Sequence, residues 1–138
     1  MKKERKRSDG AIVDLPAHSE NYKVNKILGY IRTNWEKVIT LDEIALCIGS
    51  SPQYASALFS KDMCMTLVDY INCFKINKSA SLLIETKLPI SRISLLCGFQ
   101  STSYFIRTFR SLSGMTPGEY RRNSPSVYGI DIDSVDEA

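Results

Sequence analysis

The chain has 138 residues, of which 43% are hydrophobic and 24% charged, and its formal net charge is +3. This length and composition suit one compact domain, or two small ones, with a core that needs no disulfides. No apolar run approaches the roughly 18 residues of a membrane span, and the charged N-terminus lacks the apolar segment of a secretory signal. A transmembrane or secreted protein is therefore not expected.

Residues 1–20 are expected to form a basic, flexible arm. Residues 1–7 carry five Lys/Arg and one Glu, and Gly10 and Pro16 follow. Such an arm either binds polyanions non-specifically or stays solvated, and both interpretations remain open.

Residues 21–65 are predicted to form a first subdomain of three helices. The first helix begins near Asn21, because apolar side chains then recur on one helical face: Val24, Ile27, Leu28, Ile31 and Trp35. The spacing of Thr40 and Glu43 is that of a capping box, which opens a second helix ending at Gly49. Ser51 caps a third helix, whose first position is proline.

Residues 66–87 are predicted to form one long linker helix, capped by Thr66 and broken by Pro89. A helix of about twenty residues spans ~30 Å. The helix is therefore long enough to hold the segments on either side of it well apart.

Residues 88–122 are predicted to form a second subdomain of three further helices. They run from Ile90 to Cys97, from the Ser101 cap to Ser113, and from the Thr116 capping box to Arg122. Residues 123–138 hold four acids and no Lys/Arg, and are predicted to be a disordered acidic tail. Strand-like alternation is absent, so the chain is predicted to be all-α with seven helices.

Two segments of the chain resemble each other. Residues 41–49 match 90–98 at an offset of 49, and after one inserted residue 54–59 match 104–109 at an offset of 50. Each copy has a short helix, a turn marked by glycine and a second capped helix. This is the composition of a helix-turn-helix, whose second helix enters the DNA major groove. Two copies joined by a long helix predict two recognition helices, at 52–62 and 102–113.

Residues 98–122 resemble the signature of AraC/XylS-type bacterial transcription regulators. The resemblance extends back over residues 24–122. The matching residues of the signature are Gly98, Phe99, Ser103, Tyr104, Phe105, Arg107, Phe109, Arg110, Gly114, Thr116, Pro117, Tyr120 and Arg121. The resemblance implies two helix-turn-helix subdomains that bind one face of double-stranded DNA, and an activator that contacts RNA polymerase.

The sequence departs from the family pattern at two positions. Cys64 stands where the family often has glycine after the first recognition helix, which weakens the expected left-handed cap and leaves the loop geometry open. Ala57 stands at the position matched by Arg107 in the second unit. Because Arg reads guanine and Ala touches only a thymine methyl, the first unit is expected to read fewer bases, or to read AT-rich DNA through its shape.

The candidate DNA-contacting residues fall into two sets. The base-reading set lies on the predicted outer faces of the recognition helices: Gln53, Ser56, Ala57, Thr102, Ser103, Tyr104 and Arg107. The phosphate set consists of helix caps and basic residues: Ser51, Ser60, Lys61, Ser101, Arg110 and Arg121. Further basic residues that could face phosphates are Lys75, Lys78, Lys87, Arg92 and Arg122.

Catalysis and cofactor binding are not expected. Cys47, Cys64, Cys73 and Cys97 form no short-spaced pair, and the single histidine is His18, so no zinc site is predicted. The thiols are expected to be buried and reduced. Capping explains the acidic residues at helix starts, and no phosphate-binding glycine loop is present. The chain is predicted to have no cofactor, no metal, no small-molecule ligand and no enzymatic activity.

The sequence thus predicts a cytoplasmic, nucleoid-associated transcription regulator that binds double-stranded DNA, with RNA polymerase as partner and no membrane contact. The alternatives are a repressor or competitor at the same sites, and a helical protein-interaction module whose first unit no longer reads DNA. Only about 20 residues precede the first helix. The chain is thus either a small stand-alone member or the DNA-binding part of a longer regulator.

Overall fold

The computed structural model describes residues 11–124. Over this range the chain folds into seven α-helices and no strand, which confirms the predicted all-α fold. The helices are α1 (Tyr22–Asn34), α2 (Leu41–Ile48), α3 (Pro52–Met63), α4 (Leu67–Glu85), α5 (Ile90–Leu96), α6 (Thr102–Ser113) and α7 (Pro117–Asn123). Residues 1–10 of the predicted arm and 125–138 of the predicted tail lie outside the described residues.

Side-chain caps start six of the helices, five of them at the predicted residues. The Thr116 hydroxyl accepts from Glu119 N, and the Glu119 carboxylate accepts from Thr116 N, which completes a reciprocal capping box. At α2 the Thr40 hydroxyl accepts from Glu43 N. The Glu43 carboxylate also accepts from the Tyr30 hydroxyl, at 2.9 Å, and ties α1 to α2.

Two hydrophobic clusters share one helix, α4. The first cluster packs α1–α3 against the beginning of α4, through Leu67, Tyr70 and Ile71. The second packs α5 and α6 against the rest of α4, through Ile76, Ala80, Leu83 and their neighbours. Because α4 contributes to both cores, its 19 residues, about 28 Å long, hold the two units apart.

The α3–α4 loop has the same geometry as the α6–α7 loop, although cysteine replaces glycine. Cys64 adopts the left-handed conformation, with φ 60°, and its N–H donates to Ser60 O at 2.9 Å. Gly114, fifty residues later, has φ 85° and donates to Arg110 O at 2.8 Å. The left-handed cap therefore forms at Cys64 without a glycine, and the loop keeps the geometry of its counterpart. The cap bond and the packing on either side hold the cysteine in a strained backbone conformation.

We expect Cys64→Gly to raise the free energy of unfolding by about 1 kcal/mol, because glycine adopts this conformation without Cβ strain. The matched change Gly114→Cys should lower the free energy by a similar amount, since nothing lies within 4 Å of its Cβ position. Urea denaturation in reducing buffer measures both. A loss of stability in Cys64→Gly would contradict the strain at this position.

Residues 11–19 form a strap across α1 and α4, which we call the N-terminal strap. Ile12 N and Val13 N both donate to Asn77 Oδ1, at 2.7 and 2.9 Å, and the Tyr70 hydroxyl donates to Pro16 O at 2.6 Å. Ile12 packs on the second hydrophobic cluster and Leu15 on the first. The expectation of a flexible arm is therefore wrong for these residues. Asn77 satisfies backbone groups of Ile12 and Val13, and the side chains of Ile12 and Leu15 anchor the strap.

Candidate nucleic-acid interface

Helices α3 and α6 present matching faces. From 51 to 59 and from 101 to 109, each position has the same burial class as its counterpart fifty residues later. Ala55 and Phe59 are fully buried, as are Phe105 and Phe109. The positions between them are exposed or half-buried, so each helix keeps one face free.

The turn before each of these helices is also built in the same way. Gly49 and Gly98 both adopt positive φ, at 65° and 79°. The following residue closes the turn in each unit: Ser50 N donates to Ala45 O at 3.0 Å, and Phe99 N donates to Ser94 O at 3.1 Å. The internal repeat in the sequence therefore corresponds to two helix-turn-helix units.

In the second unit, the exposed face of α6 carries Ser103, Tyr104 and Arg107. The Arg107 guanidinium lies over the Tyr104 ring, 5.7 Å from its centroid. The Tyr104 hydroxyl accepts from Asn72 Nδ2 of α4 at 2.8 Å. Thr102, predicted in the same set, is half-buried. Asn72 was not predicted, because nothing in its sequence neighbourhood indicates a partner 32 residues away.

In the first unit, Gln53 and Ala57 are exposed on α3, whereas Ser56 is half-buried. Tyr54 occupies the place of Tyr104 and also carries a cation, here Lys23 Nζ of α1, 5.4 Å from the ring centroid. Arg107 thus has no basic counterpart on α3, because Ala57 stands at the equivalent position.

The residues predicted to contact phosphate occupy different environments. Ser51 and Ser101 are exposed N-caps that accept from Tyr54 N and Tyr104 N, both at 3.1 Å. Lys61 and Arg110 are exposed in the last turns of α3 and α6, and Ser60 is half-buried.

Arg121 differs from the rest of that set. Its Nε donates to Leu83 O at 3.0 Å and its Nη2 to Thr86 O at 3.1 Å, so its guanidinium caps the C-terminus of α4. The structure thus gives Arg121 a packing role that the sequence did not indicate.

Lys75 lies in the middle of α4 with only 4% of its surface exposed, so the expectation that it could face phosphate is wrong. Its Nζ donates to Trp35 O and Lys37 O, both at 2.6 Å, and to Cys97 O at 3.3 Å. Burial lowers the pKa of the Lys75 ammonium to about 8, so it remains charged at neutral pH. Lys75 is four residues from Ile71 and eight residues from Leu83, and both of these side chains are buried. This helical spacing is the signal from which a core-facing position of Lys75 could have been predicted.

The described residues contain no group of three His, Cys, Asp or Glu side chains placed to hold a metal ion. All four thiols are unpaired. Cys73 and Cys97 are buried as predicted, whereas Cys64 is exposed and Cys47 half-buried. Within residues 11–124 no helix has the length and apolarity needed to cross a membrane.

Comparison with known proteins matches residues 44–123 to a family model described as a helix-turn-helix domain. The melibiose operon regulatory protein of Escherichia coli K12 is 35% identical over 107 residues, which are 78% of this chain and 35% of that protein. The chain therefore spans about a third of the length of this curated relative.

Solved structures show the same likeness. The C-terminal domain of AraT, a response regulator from Geobacillus stearothermophilus, superposes with a TM-score of 0.75 at 26% identity, over 82% of this chain and 95% of that one. An AraC-type transcriptional regulator from Chromobacterium violaceum gives a TM-score of 0.66 at 29% identity, over 72% and 88% of the two chains. With its two helix-turn-helix units and these relatives, the chain belongs to the AraC/XylS-type family of helix-turn-helix transcription regulators.

Proposed function

We propose that this chain regulates transcription by reading two successive major-groove segments of double-stranded DNA with α3 and α6. The observation that carries the proposal is the matched exposure of the two helices, each preceded by a glycine turn and a serine cap. The spacing available along α4 suits grooves one helical turn apart, ~34 Å.

The base-reading roles follow the exposed faces. Arg107 is the strongest candidate, because an arginine in the major groove binds guanine O6 and N7 with two hydrogen bonds. Its stacking on Tyr104 restricts its rotamers before DNA arrives. Ser103, Tyr104, Gln53 and Ala57 lie on the same exposed faces. The half-buried Thr102 and Ser56, at the edges of these faces, complete the set. Tyr104 also serves as the platform for Arg107.

Phosphate contacts are proposed for the exposed residues at the ends of the two helices. Ser51 and Ser101 bring helix N-termini toward the backbone, where N–H groups attract phosphate oxygens. Lys61 and Arg110 add charge at the opposite ends, with Ser60 beside Lys61. We do not assign Arg121 to this set, because its guanidinium holds the end of α4.

We further propose that the protein acts as an activator through RNA polymerase, in the bacterial cytoplasm and on the nucleoid, without a cofactor or a catalytic role. Leu46 and Leu95 support a protein contact, since they are 81% and 65% exposed at matching positions of α2 and α5. The same leucines favour the second candidate function, a protein-interaction module.

Selection of bound sequences from a random duplex pool, followed by a salt titration, tests the proposal. For a DNA reader, log affinity should fall with log salt by about 0.9 for each phosphate neutralised. A protein-interaction module would enrich no sequence and would bind DNA negligibly at physiological salt. Repression rather than activation would appear in a reporter assay on the selected site.

The selected site should be asymmetric. The half bound by α6 should be better defined than the half bound by α3, because Arg107 offers two donors where Ala57 offers a methyl group. The information content of the two halves measures this difference. Equal definition of both halves, or a better-defined α3 half, would contradict the assignment of α6 as the main reader.

Arg107→Ala should relax base preference at one or two positions and cost about 1–3 kcal/mol of discrimination, while the helical content is unchanged. The selection repeated with the variant measures this loss. Arg92→Ala, at an exposed arginine of α5, is the matched control for the lost charge and should leave the selected bases unaltered. A folded Arg107→Ala variant with the wild-type preference would remove Arg107 from the reading set.

A further inference from the structure

The Lys75 ammonium forms hydrogen bonds with segments of both units. Trp35 and Lys37, whose carbonyls accept two of its hydrogen bonds, lie at the end of α1 and in the loop that leads to α2. Cys97, whose carbonyl accepts the third, lies in the turn between α5 and α6. Lys75 itself comes from α4, so one side chain connects the first unit, the linker and the second unit.

The same loop and turn also touch directly. A Cβ atom on Gly98 would lie 2.7 Å from Lys37 O and 2.8 Å from Trp35 O, so only a glycine lets the two backbones approach this closely. The Trp35 side chain crosses over to pack against the second hydrophobic cluster. Gly98, where the turn touches the loop, lies three residues before Ser101, the N-cap of α6.

This arrangement resists small changes in the angle between the units. A buried ammonium is stable only while acceptors replace its lost water, and here the acceptors come from opposite sides of the contact. A rotation that separated the loop from the turn would leave the ammonium or a carbonyl without its partner. The helix α4 holds the units apart, whereas the Lys75 contact determines how one unit is turned relative to the other.

We propose that Lys75 is a positioning residue that sets the relative orientation of α3 and α6, and thereby the number of base pairs tolerated between the two half-sites. Only the effect on half-site spacing rests on the proposed function. The rigid contact itself is a property of the protein and has its own test.

The first experiment needs no DNA. Residual dipolar couplings of the wild-type chain should fit one alignment tensor for both units, and Lys75→Met should require two. Lys26→Met removes an exposed lysine of α1 whose Nζ lies over the Tyr22 ring, and it should retain one tensor. Two tensors in the wild type, or one tensor in a folded Lys75→Met chain, would overturn the proposal.

The second experiment varies the spacing of the selected site. One added or removed base pair shifts a half-site by ~3.4 Å and turns it by about 34°. The wild type should then lose at least about tenfold in affinity, comparable with one mismatched base pair. Lys75→Met should bind the best site more weakly but lose less than about threefold on the altered spacings, with the preferred bases of each half unchanged.

If Lys75→Met fails to fold, the wild-type measurements still test whether the spacing between the half-sites is fixed. Tolerance of one added base pair by the wild-type chain would overturn the role in spacing, as would an equal spacing penalty in a folded variant. Enrichment of no sequence by the wild type would instead overturn the proposed function, and the single-tensor measurement would then decide whether the contact is rigid.

Discussion

We expect Gly98→Ala to lower the free energy of unfolding by at least about 3 kcal/mol, and Gly49→Ala at the equivalent position by only about 1 kcal/mol. Both glycines have positive φ, so both alanines carry the same backbone strain. At Gly49 nothing lies within 4 Å of the added Cβ, and the strain is the whole cost.

At Gly98 the added carbon also meets Lys37 O, Trp35 O and the Lys75 ammonium. Two of these three atoms belong to the backbone and cannot move away without opening the contact between the units. The midpoint and slope of urea denaturation, followed by far-UV circular dichroism, measure both variants. Equal losses at Gly49 and Gly98 would show that the loop and the turn do not pack closely.

The second large effect concerns the second hydrophobic cluster. Phe109→Ala should cost about 3–5 kcal/mol, because a fully buried ring is removed. The ring makes edge contacts with Phe105 and Tyr120, at centroid distances of 5.9 and 5.3 Å. A protein of this size is stable by only about 5–15 kcal/mol, so the loss is a large fraction of the total.

Phe59→Ala is the matched variant in the first cluster, where the ring packs edge-on against Tyr70 at 5.4 Å. Each variant should still unfold in one transition, because both clusters include α4 and the Lys75 contact joins them. Trp35, the only tryptophan, begins at the end of α1 and packs on the second cluster, so its fluorescence reports on the contact between the units. Coincident fluorescence and circular dichroism curves are expected. Two separate transitions would contradict this coupling.

The sequence predicted the helices and their ends because the relevant interactions are local. A capping serine or threonine satisfies N–H groups two or three residues away, and an apolar stripe repeats every three or four residues. The duplication was visible for the same reason, since Gly49 and Gly98 occupy the same place in each copy. From these patterns the exposed positions of α3 and α6 were predicted, including Gln53, Ala57, Ser103 and Arg107.

Interactions between distant segments could not be predicted in this way. The Asn72 contact with Tyr104 spans 32 residues, and the Asn77 contacts with the N-terminal strap span 64 and 65. Asn72 and Asn77 are ordinary polar residues that would suit a solvated surface equally well. Ile12, Val13 and Pro16 looked like part of a flexible arm because their partners, Asn77 and Tyr70, lie on α4, 54 to 65 residues away in sequence.

By itself, then, the sequence determined the all-α fold, the two helix-turn-helix units and the helix faces left exposed, because backbone propensity and short-range periodicity encode them. Only the tertiary structure decided which charged groups face solvent. In the sequence Arg121 resembles a surface cation, and only its helical spacing from apolar residues sets Lys75 apart. The structure shows Lys75 buried among three carbonyls and Arg121 capping α4. A long basic side chain reaches any acceptor that folding brings near it, and the positions of those acceptors depend on the packing of the whole chain.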